Sequence, residues 1–258
     1  MDAAELLRQA GRIVQEAGAR LEDRNLASQV HAKGPTDFVT AVDTEVQEQI
    51  RARLQALDGT IQFMAEEKEN AAIDPSRPVW ILDPVDGTTN LIHGFGHSAI
   101  SLALAAEGRP LLGLVYDPFA GEMFTARRGV GAFCNGRPIH ASTAVHLADS
   151  LCSVGTNPGR RDQADAAFAR MRRVYDRCHD IRRVGAASVE LCCVACGRLD
   201  AYMEHSLKPW DYAAGWLILE EAGGCLTDFT GGAPSLTAPG CDILATNGNI
   251  HPELLQLI

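Results

Sequence analysis

The hydrophobic pattern of this chain changes period twice, and the two changes limit what it can fold into. Up to residue 57 apolar residues recur at helical spacing. Leu6, Leu7, Ile13, Val14 and Leu21 do so over residues 2–22, and Val46, Ile50 and Leu54 over residues 44–57. The spacing predicts two amphipathic helices, the second with Asp43 as its N-cap. Between them, HAKGPTDFVTAVD reads as a loop and a short strand. The runs then become short and β-like: IQFMA, VWILD, HSAISLALAAEG, RPLLGLVYDP, GEMFTARRG and GAFCNGRPI. Glu107-Gly108 is a hairpin turn signal, and the whole stretch predicts an antiparallel sheet. From about residue 150 strand-like and helix-like segments alternate. SLCSVGT, IRRVG, DAYMEH, CLTDF and DILATN read as strands; DQADAAFARMRRVYDR, AASVELCCVACG, PWDYAAGWLILEEAGG and the tail from Pro252 read as helices. Such alternation indicates an α/β layer. The expected organisation is an N-terminal α+β half over residues 1–145 and a C-terminal α/β half over residues 146–258, with a site at their junction.

Composition narrows the function classes. The 258 residues are 46% hydrophobic and 22% charged, with a formal net charge of −10. That is globular composition, and it argues against a nucleic-acid or anionic-membrane binder, which would show a basic face. No apolar run approaches the roughly 20 residues that cross a bilayer. The N-terminus mixes charges into its apolar positions, so a cytoplasmic location is expected. The eight cysteines are expected to be reduced. Cys193 and Cys196 spell CxxC inside a helix-like run and have no second pair at zinc spacing.

The chemistry concentrates in acids at element ends. Glu66 and Glu67 follow IQFMA, Asp83 and Asp86 follow the strand VWIL, Glu204 ends DAYME, and Asp211 opens the PWDYAAG helix. Each alone is a turn former, a solvated charge or a helix-start residue. Together they are self-repelling carboxylates that need protons or cations. Oxygen ligands without His or Cys suit Mg²⁺ or Mn²⁺, and Mg²⁺ uses few protein carboxylates beside waters and phosphate. Gly87-Thr88-Thr89 adds a turn into a helix whose N–H groups suit phosphate oxygens. Thr88 orients a water if Asp43 or Glu66 holds its hydroxyl. Ser98 and Ser101 beside His97 lack a third orienting group for nucleophilic catalysis. His93 and His97 lack the HExxH setting of a zinc pair.

MAEE, then WILDPVDGTTN, then PWDYAAGWLILEEAGG, in that order, resemble the inositol monophosphatase family of Mg²⁺-dependent, lithium-sensitive sugar phosphatases. The resemblance runs from KGPTDFVTAVD to DILATN, most of the chain. It implies a layered α-β-α-β-α sandwich and in-line attack of a metal-activated water on a phosphate monoester, myo-inositol 1-phosphate first among them. It implies two or three Mg²⁺ ions, with Mn²⁺ as a substitute, and a homodimer. Residue by residue, it implies that Glu66, Asp83 and the Val85 carbonyl hold one metal, and that Asp83, Asp86 and Asp211 hold another. Thr88 paired with Asp43 positions the water beside Glu66, and the Gly87 and Thr88 backbone holds phosphate. Asp86, Glu204 and the backbone from Gly185 to Ala187 meet substrate hydroxyls, and Lys33 gives electrostatic support. Ala65, Ala186 and Pro209 depart from residues frequent in the family without removing a ligand. The alternatives are another phosphatase of the superfamily (fructose 1,6-bisphosphate, histidinol phosphate or a 3′-phosphonucleotide), a regulatory binding protein that keeps the fold, or an ion-binding module without catalysis.

Overall fold

A computed structural model of the chain describes residues 2–32, 34, 38–68, 70, 73, 74 and 76–258; Lys33 lies outside the described residues. Helix α1 (Ala3–Gly18) is capped by Asp2, which accepts the Glu5 N–H at 2.8 Å. Its buried stripe is Leu6, Ala10, Ile13, Val14 and Ala17. A single turn, α2 (Arg24–Ala27), leads to β1 (Val30–Ala32) and β2 (Phe38–Thr40), which pair antiparallel.

Helix α3 (Ala41–Leu57) starts earlier than its apolar spacing predicts. Thr40, not Asp43, is the cap. Asp43 is the third helical residue and reaches back, its Oδ2 accepting the Thr40 N–H at 2.8 Å and the Thr40 hydroxyl at 2.6 Å. A capping box satisfies two otherwise orphaned donors at once, which a lone Asp cap cannot do. The arrangement buries Asp43 completely.

Strands β3 (Gln62–Ala65), β4 (Val79–Asp86), β5 (Ala99–Ala106), β6 (Arg109–Asp117), β7 (Glu122–Arg127), β8 (Gly131–Cys134) and β9 (Arg137–Pro138) form one seven-stranded sheet in chain order. A short helix, α4 (Thr88–His93), interrupts the path from β4 to β5. The β5–β6 turn has left-handed φ at both Glu107 (52°) and Gly108 (72°), the conformation a two-residue hairpin needs. The sheet is not wholly antiparallel: β3 and β4 run parallel. The link over residues 66–78 is long enough to return to the starting edge, which a tight turn is not.

The second sheet holds β10 (Leu151–Val154), β11 (Asp180–Arg182), β12 (Ala201–Leu207), β13 (Cys225–Asp228) and β14 (Cys241–Thr246) in the order β11-β10-β12-β14-β13. The first three are mutually parallel, and the other pairings are antiparallel. Helices α5 (Ala164–Tyr175), α6 (Ala187–Ala195), α7 (Pro209–Glu221) and α8 (His251–Leu255) complete the chain.

Burial separates the layers. Trp80, Leu82, Ile100, Leu102 and Leu114 meet Ile13, Val46 and Ile50 of α1 and α3. The opposite face of the first sheet is lined by small residues, Ala99, Ala103 and Ala126 among them, and packs on α6 and α7. Those helices in turn meet Tyr202, Ile243 and Ala245 of the second sheet. Its far face packs Val154, Met203 and Leu244 on Met171, Val174 and Leu254 of α5 and α8. The result is an α-β-α-β-α sandwich. Helix α7 is buried from Tyr212 through Leu219, as a helix between two sheets must be. No helix among the described residues is long and apolar enough to cross a membrane.

Two internal contacts set the spacing of the middle layer. A Cβ on Gly113 would come within 2.7 Å of the Ala214 carbonyl oxygen, so β6 approaches α7 more closely than any side chain allows. Glu190 of α6 is fully buried; it accepts the Val184 and Gly185 N–H groups at 3.0 and 3.3 Å and the Ser153 hydroxyl. Burial pushes its carboxyl from the ordinary 4.5 up to about 7, against the opposing pull of those hydrogen bonds.

Gly113→Ala is expected to destabilise the protein by about 1–3 kcal/mol through overpacking, read as a lower midpoint in thermal unfolding. Glu190 has a raised folded-state pKa, so its stabilising contribution is complete below the unfolded value and is lost as pH rises through about 7. Between about pH 6 and pH 8 the melting temperature of Glu190→Gln should therefore fall less than that of the unaltered protein. Parallel pH profiles would contradict the assignment.

Candidate functional site

The site begins where β3 and β4 end side by side. Their parallel pairing places Ala65 opposite Leu82, and the Glu66 N–H continues the ladder to the Leu82 carbonyl at 3.3 Å. The next residue on each strand is an acid, Glu66 and Asp83. Helix α3 holds the segment from behind. The Gln47 amide donates to the Glu67 carbonyl at 2.9 Å and accepts the Glu67 N–H at 3.2 Å. Asp83 and Asp86 do not follow the strand; β4 runs through both, with its register against β5 shifting between them. A bulge of this kind re-aims side chains. The Val85 N–H turns back to Asp83 Oδ1 at 2.9 Å.

Gly87 follows with φ 87°, and a Cβ there would lie 2.9 Å from the His97 carbonyl oxygen and 3.1 Å from the Ala186 Cβ. Only glycine fits. Thr88 opens α4, and its one hydroxyl proton has two acceptors in reach, the Val85 carbonyl at 3.0 Å and Asp43 Oδ1 at 3.3 Å. Held by either, the hydroxyl offers lone pairs to a water.

The other acids arrive from the second half of the chain. Asp211 is the third residue of α7. It accepts the Lys208 N–H at 2.7 Å and donates its own N–H to the Lys208 carbonyl at 3.0 Å. Glu204 lies on β12 and accepts the Asn157 N–H at 2.9 Å and the Tyr202 hydroxyl at 2.6 Å. Asp86 is bound by the start of α6: the Ala187 N–H reaches its Oδ1 at 3.1 Å, and the Ser188 N–H and hydroxyl reach its Oδ2.

One cavity of about 730 Å³ receives these groups. Glu66, Asp83, Val85, Asp86 and Asp211 line it, as do Gly87, Thr88 and Glu204. Gly185 and Ala187 line it too. The Gly185 N–H is taken by Glu190 and the Ala187 N–H by Asp86, because the turn before α6 is fastened from within. Asp43 stands behind Thr88 rather than in the wall.

The acids raise one another's proton affinity. Asp83, 2% exposed, is pushed well above the ordinary carboxylate range, by burial first and then by Glu66, Asp86 and Asp211. Asp211 is likewise pushed well up by burial and by Glu66. Burial carries Asp86 to about 6 against the pull of its Ser188 bonds, and it raises Asp43 against those from Thr40. Such a set is stable near neutral pH only with protons or cations among the oxygens. The described donors in the wall are carboxylates, carbonyls and hydroxyls, with no His or Cys. Among the described residues no three acidic, His or Cys side chains form a preformed metal cage. Hard ions that keep much of their water, Mg²⁺ above all, fit that donor set, whereas zinc does not.

The rival chemistries lose their residues to structural duties. The Ser98 hydroxyl donates to the Gly87 carbonyl at 2.9 Å and Ser101 to the Trp210 carbonyl at 3.1 Å. His93 and His97 are exposed and outside the cavity wall, and all eight cysteines are free thiols. Sequence reasoning missed Asn90, Asn157, Arg160, Arg183 and Lys208, which also line the cavity. Asn90, next to Thr89, was within reach of the motif. Its amide ties α4 to the β11–α6 turn by donating to the His97 and Val184 carbonyls at 2.7 and 2.9 Å. The three cations carry no local signal.

Comparison with known proteins agrees with this geometry. The model of the inositol monophosphatase family matches residues 2–258. An inositol-1-monophosphatase of Rhizobium meliloti (strain 1021) is 38% identical over 89% of this chain and 86% of that protein. A protein named Nus factor SuhB, of Pasteurella multocida (strain Pm70), is 36% identical over 97% and 92%. The crystal structure of the extragenic suppressor protein suhB from Bartonella henselae superposes with a TM-score of 0.91, at 34% identity and 98% coverage of both chains. The chain belongs to the inositol monophosphatase family, whose members are phosphoric monoester hydrolases.

Proposed function

We propose that this protein hydrolyses the phosphate monoester of a polyol, with myo-inositol 1-phosphate as the leading substrate, using Mg²⁺. The observation that supports the reading is the delivery of Glu66, Asp83, Asp86, Asp211 and Thr88 to one cavity from separate elements. Glu66, Asp83 and the Val85 carbonyl are the proposed ligands of one ion, and Asp83, Asp86 and Asp211 of another; Mn²⁺ has the same preference for oxygen. When bound, such ions lower the pKa of water and offset the charge of the phosphate and of the departing oxygen.

The chain's own groups do the rest. Asp43 and the Val85 carbonyl hold the Thr88 hydroxyl, whose lone pair accepts a hydrogen from the attacking water. Glu66 lines the same wall and is the proposed acceptor of the water's other proton. Gly87 lets the backbone at the start of α4 approach phosphate oxygens without a Cβ in the way. Asp86 and Glu204 have lone pairs beyond their internal bonds and face the alcohol part of the ester. No side chain needs to form a covalent intermediate. A cytoplasmic homodimer inhibited by Li⁺ completes the reading; gel filtration tests the dimer and a Li⁺ titration tests the inhibition. A second reading, a regulatory binding protein that keeps the fold, is favoured by one observation, the relatives named Nus factor. Phosphate release from a panel of esters, with and without Mg²⁺ and Li⁺, separates the two.

Asp83→Asn is expected to lower Mg²⁺-dependent hydrolysis by at least about a hundredfold, since even outer partners of a metal site cost 10–100-fold. The fold should survive, because the change removes one of several mutually repelling buried charges; near-normal turnover in a folded variant would sink the ligand assignment. Glu204→Gln keeps an acceptor for the Asn157 N–H and removes the charge. It should raise KM for inositol 1-phosphate by about tenfold, the loss of one charged hydrogen bond. KM for an aryl phosphate should change little, and equal effects on both esters would remove Glu204 from substrate recognition.

A further inference from the structure

Glu204 is held more firmly than its contact with a ligand alone would require. Its strand, β12, lies beside β10 with Val154 opposite Met203, and the Gly155 N–H continues the ladder to the Met203 carbonyl at 2.8 Å. Gly155 therefore stands next to Glu204, and the carboxylate folds over it. A Cβ on Gly155 would come within 1.9 Å of Glu204 Oε2 and 2.0 Å of its Cδ, a space no side chain can share. The atoms nearest to that Cβ all belong to Glu204, so the missing side chain makes room for this one group. Gly155 is not among the residues with left-handed φ, so conformational freedom is not what calls for glycine here.

Two donors fix the carboxylate in that place. Tyr202, two residues earlier on the same face of β12, donates its hydroxyl to Oε2 at 2.6 Å. Tyr202 is fully buried in the core shared by the second sheet and the middle helices. Burial, and then the charges of Glu204, Glu190 and Asp86, hold its phenol well above the ordinary 10, so it remains a proton donor. The Asn157 N–H supplies the second bond, to Oε1 at 2.9 Å. Asn157 has left-handed φ, 38°, uncommon for a residue with a side chain, and its own amide donates to the His205 carbonyl at 2.8 Å. It therefore holds the β12 backbone and the Glu204 carboxylate at once. Just beyond, Ser206 also has left-handed φ, 57°, and the register of β12 against β14 shifts between Glu204 and Leu207. Such irregularities re-aim side chains. A buried tyrosine hydroxyl needs a partner in any protein. That need explains neither the bare Gly155 nor the left-handed Asn157, and both serve the same carboxylate. Gly155 and Tyr202 lie behind the cavity wall, whereas Glu204 and Asn157 form part of it. Each Glu204 oxygen is engaged once from within the protein, and each has a lone pair left for a ligand.

We propose that Gly155 and Tyr202 are positioning residues that set the specificity of the site. With Asn157 they hold the Glu204 carboxylate as a fixed acceptor for hydroxyl groups, so that esters of polyols are selected over esters whose alcohol part has no hydroxyl. A carboxylate free to turn would lose side-chain freedom on meeting a hydroxyl, and a pinned one does not. The proposal rests on the cavity being a phosphomonoesterase site.

The test compares myo-inositol 1-phosphate with 4-nitrophenyl phosphate, whose alcohol part offers no further hydroxyl, with Mg²⁺ present. Tyr202→Phe removes only the phenol oxygen. It should raise KM for inositol 1-phosphate by about five- to tenfold, the loss of one charged hydrogen bond, with kcat within about twofold. Gly155→Ala should raise the same KM by about tenfold, since the added Cβ displaces the carboxylate. Neither change should move KM for the aryl phosphate by more than about twofold. The deciding measurement is a double-mutant cycle with Glu204→Ala. In that background neither further substitution should alter KM for inositol 1-phosphate by more than about twofold. The fall in melting temperature caused by Gly155→Ala should vanish there too, because the group it collides with is gone. Equal losses on both esters, effects additive with Glu204→Ala, or an unchanged KM for inositol 1-phosphate in Tyr202→Phe overturns the positioning role. Should Gly155→Ala not fold, the Tyr202→Phe cycle decides alone. If neither ester releases phosphate, the catalytic reading fails separately, and calorimetric binding of inositol 1-phosphate decides. Binding weakened about fivefold by Tyr202→Phe, and no further in the Glu204→Ala background, supports the role; unchanged or absent binding overturns it.

Discussion

Everything at the centre of this molecule follows from the difficulty of burying several carboxylates together. Asp83, Asp86 and Asp211 are each pushed up by burial, and they repel one another and Glu66. The fold opposes that repulsion with helix starts. Asp43 is the third residue of α3 and Asp211 the third residue of α7, and each accepts the N–H of the residue before its helix. Asp86 is not in a helix, but it accepts two N–H groups from the start of α6. The N-termini of α6 and α7, the positive ends of their dipoles, therefore hold two acids of the cluster, and that of α3 holds Asp43 behind Thr88. The remaining imbalance is what cations among the oxygens would neutralise.

That convergence depends on the middle layer. Helix α7 is enclosed by both sheets and carries Asp211 at its open end. Small residues on the first sheet, Gly113 among them, let β6 approach it closely. The buried Glu190 fastens Val184 and Gly185, and the same turn then presents Ala187 and Ser188 to Asp86. The acidic centre and the packing of α6 and α7 are thus one mechanical unit, and a change in either reaches the other.

Much of the architecture could be read from periodicity. The β5–β6 hairpin was legible because Glu107-Gly108 stands between two apolar runs, and α7 because Pro209 opens it and Gly223-Gly224 closes it. The start of α3 was not, because a capping box depends on Thr40 and Asp43 reaching each other rather than on the apolar period. The parallel pairing of β3 with β4 was also hidden, since strand direction is decided by where a long link returns. In the site, the motif residues on either side of Gly87 were visible as a group. The bond from the Ala187 N–H to Asp86 was not legible, because its partners stand about a hundred residues apart.

By itself the sequence determined which segments are helices and strands, where acids stand at their ends, and that no His or Cys accompanies them at metal-ligand spacing. Those are local properties, set by side-chain period and by the residue types at turns. Only the tertiary structure decided that Asp86 is gripped by α6, that Asp43 reaches the cavity through Thr88, and that Arg183 and Lys208 share a wall with the acids. Those facts depend on which strands lie side by side, and long-range pairing leaves no trace in local spacing.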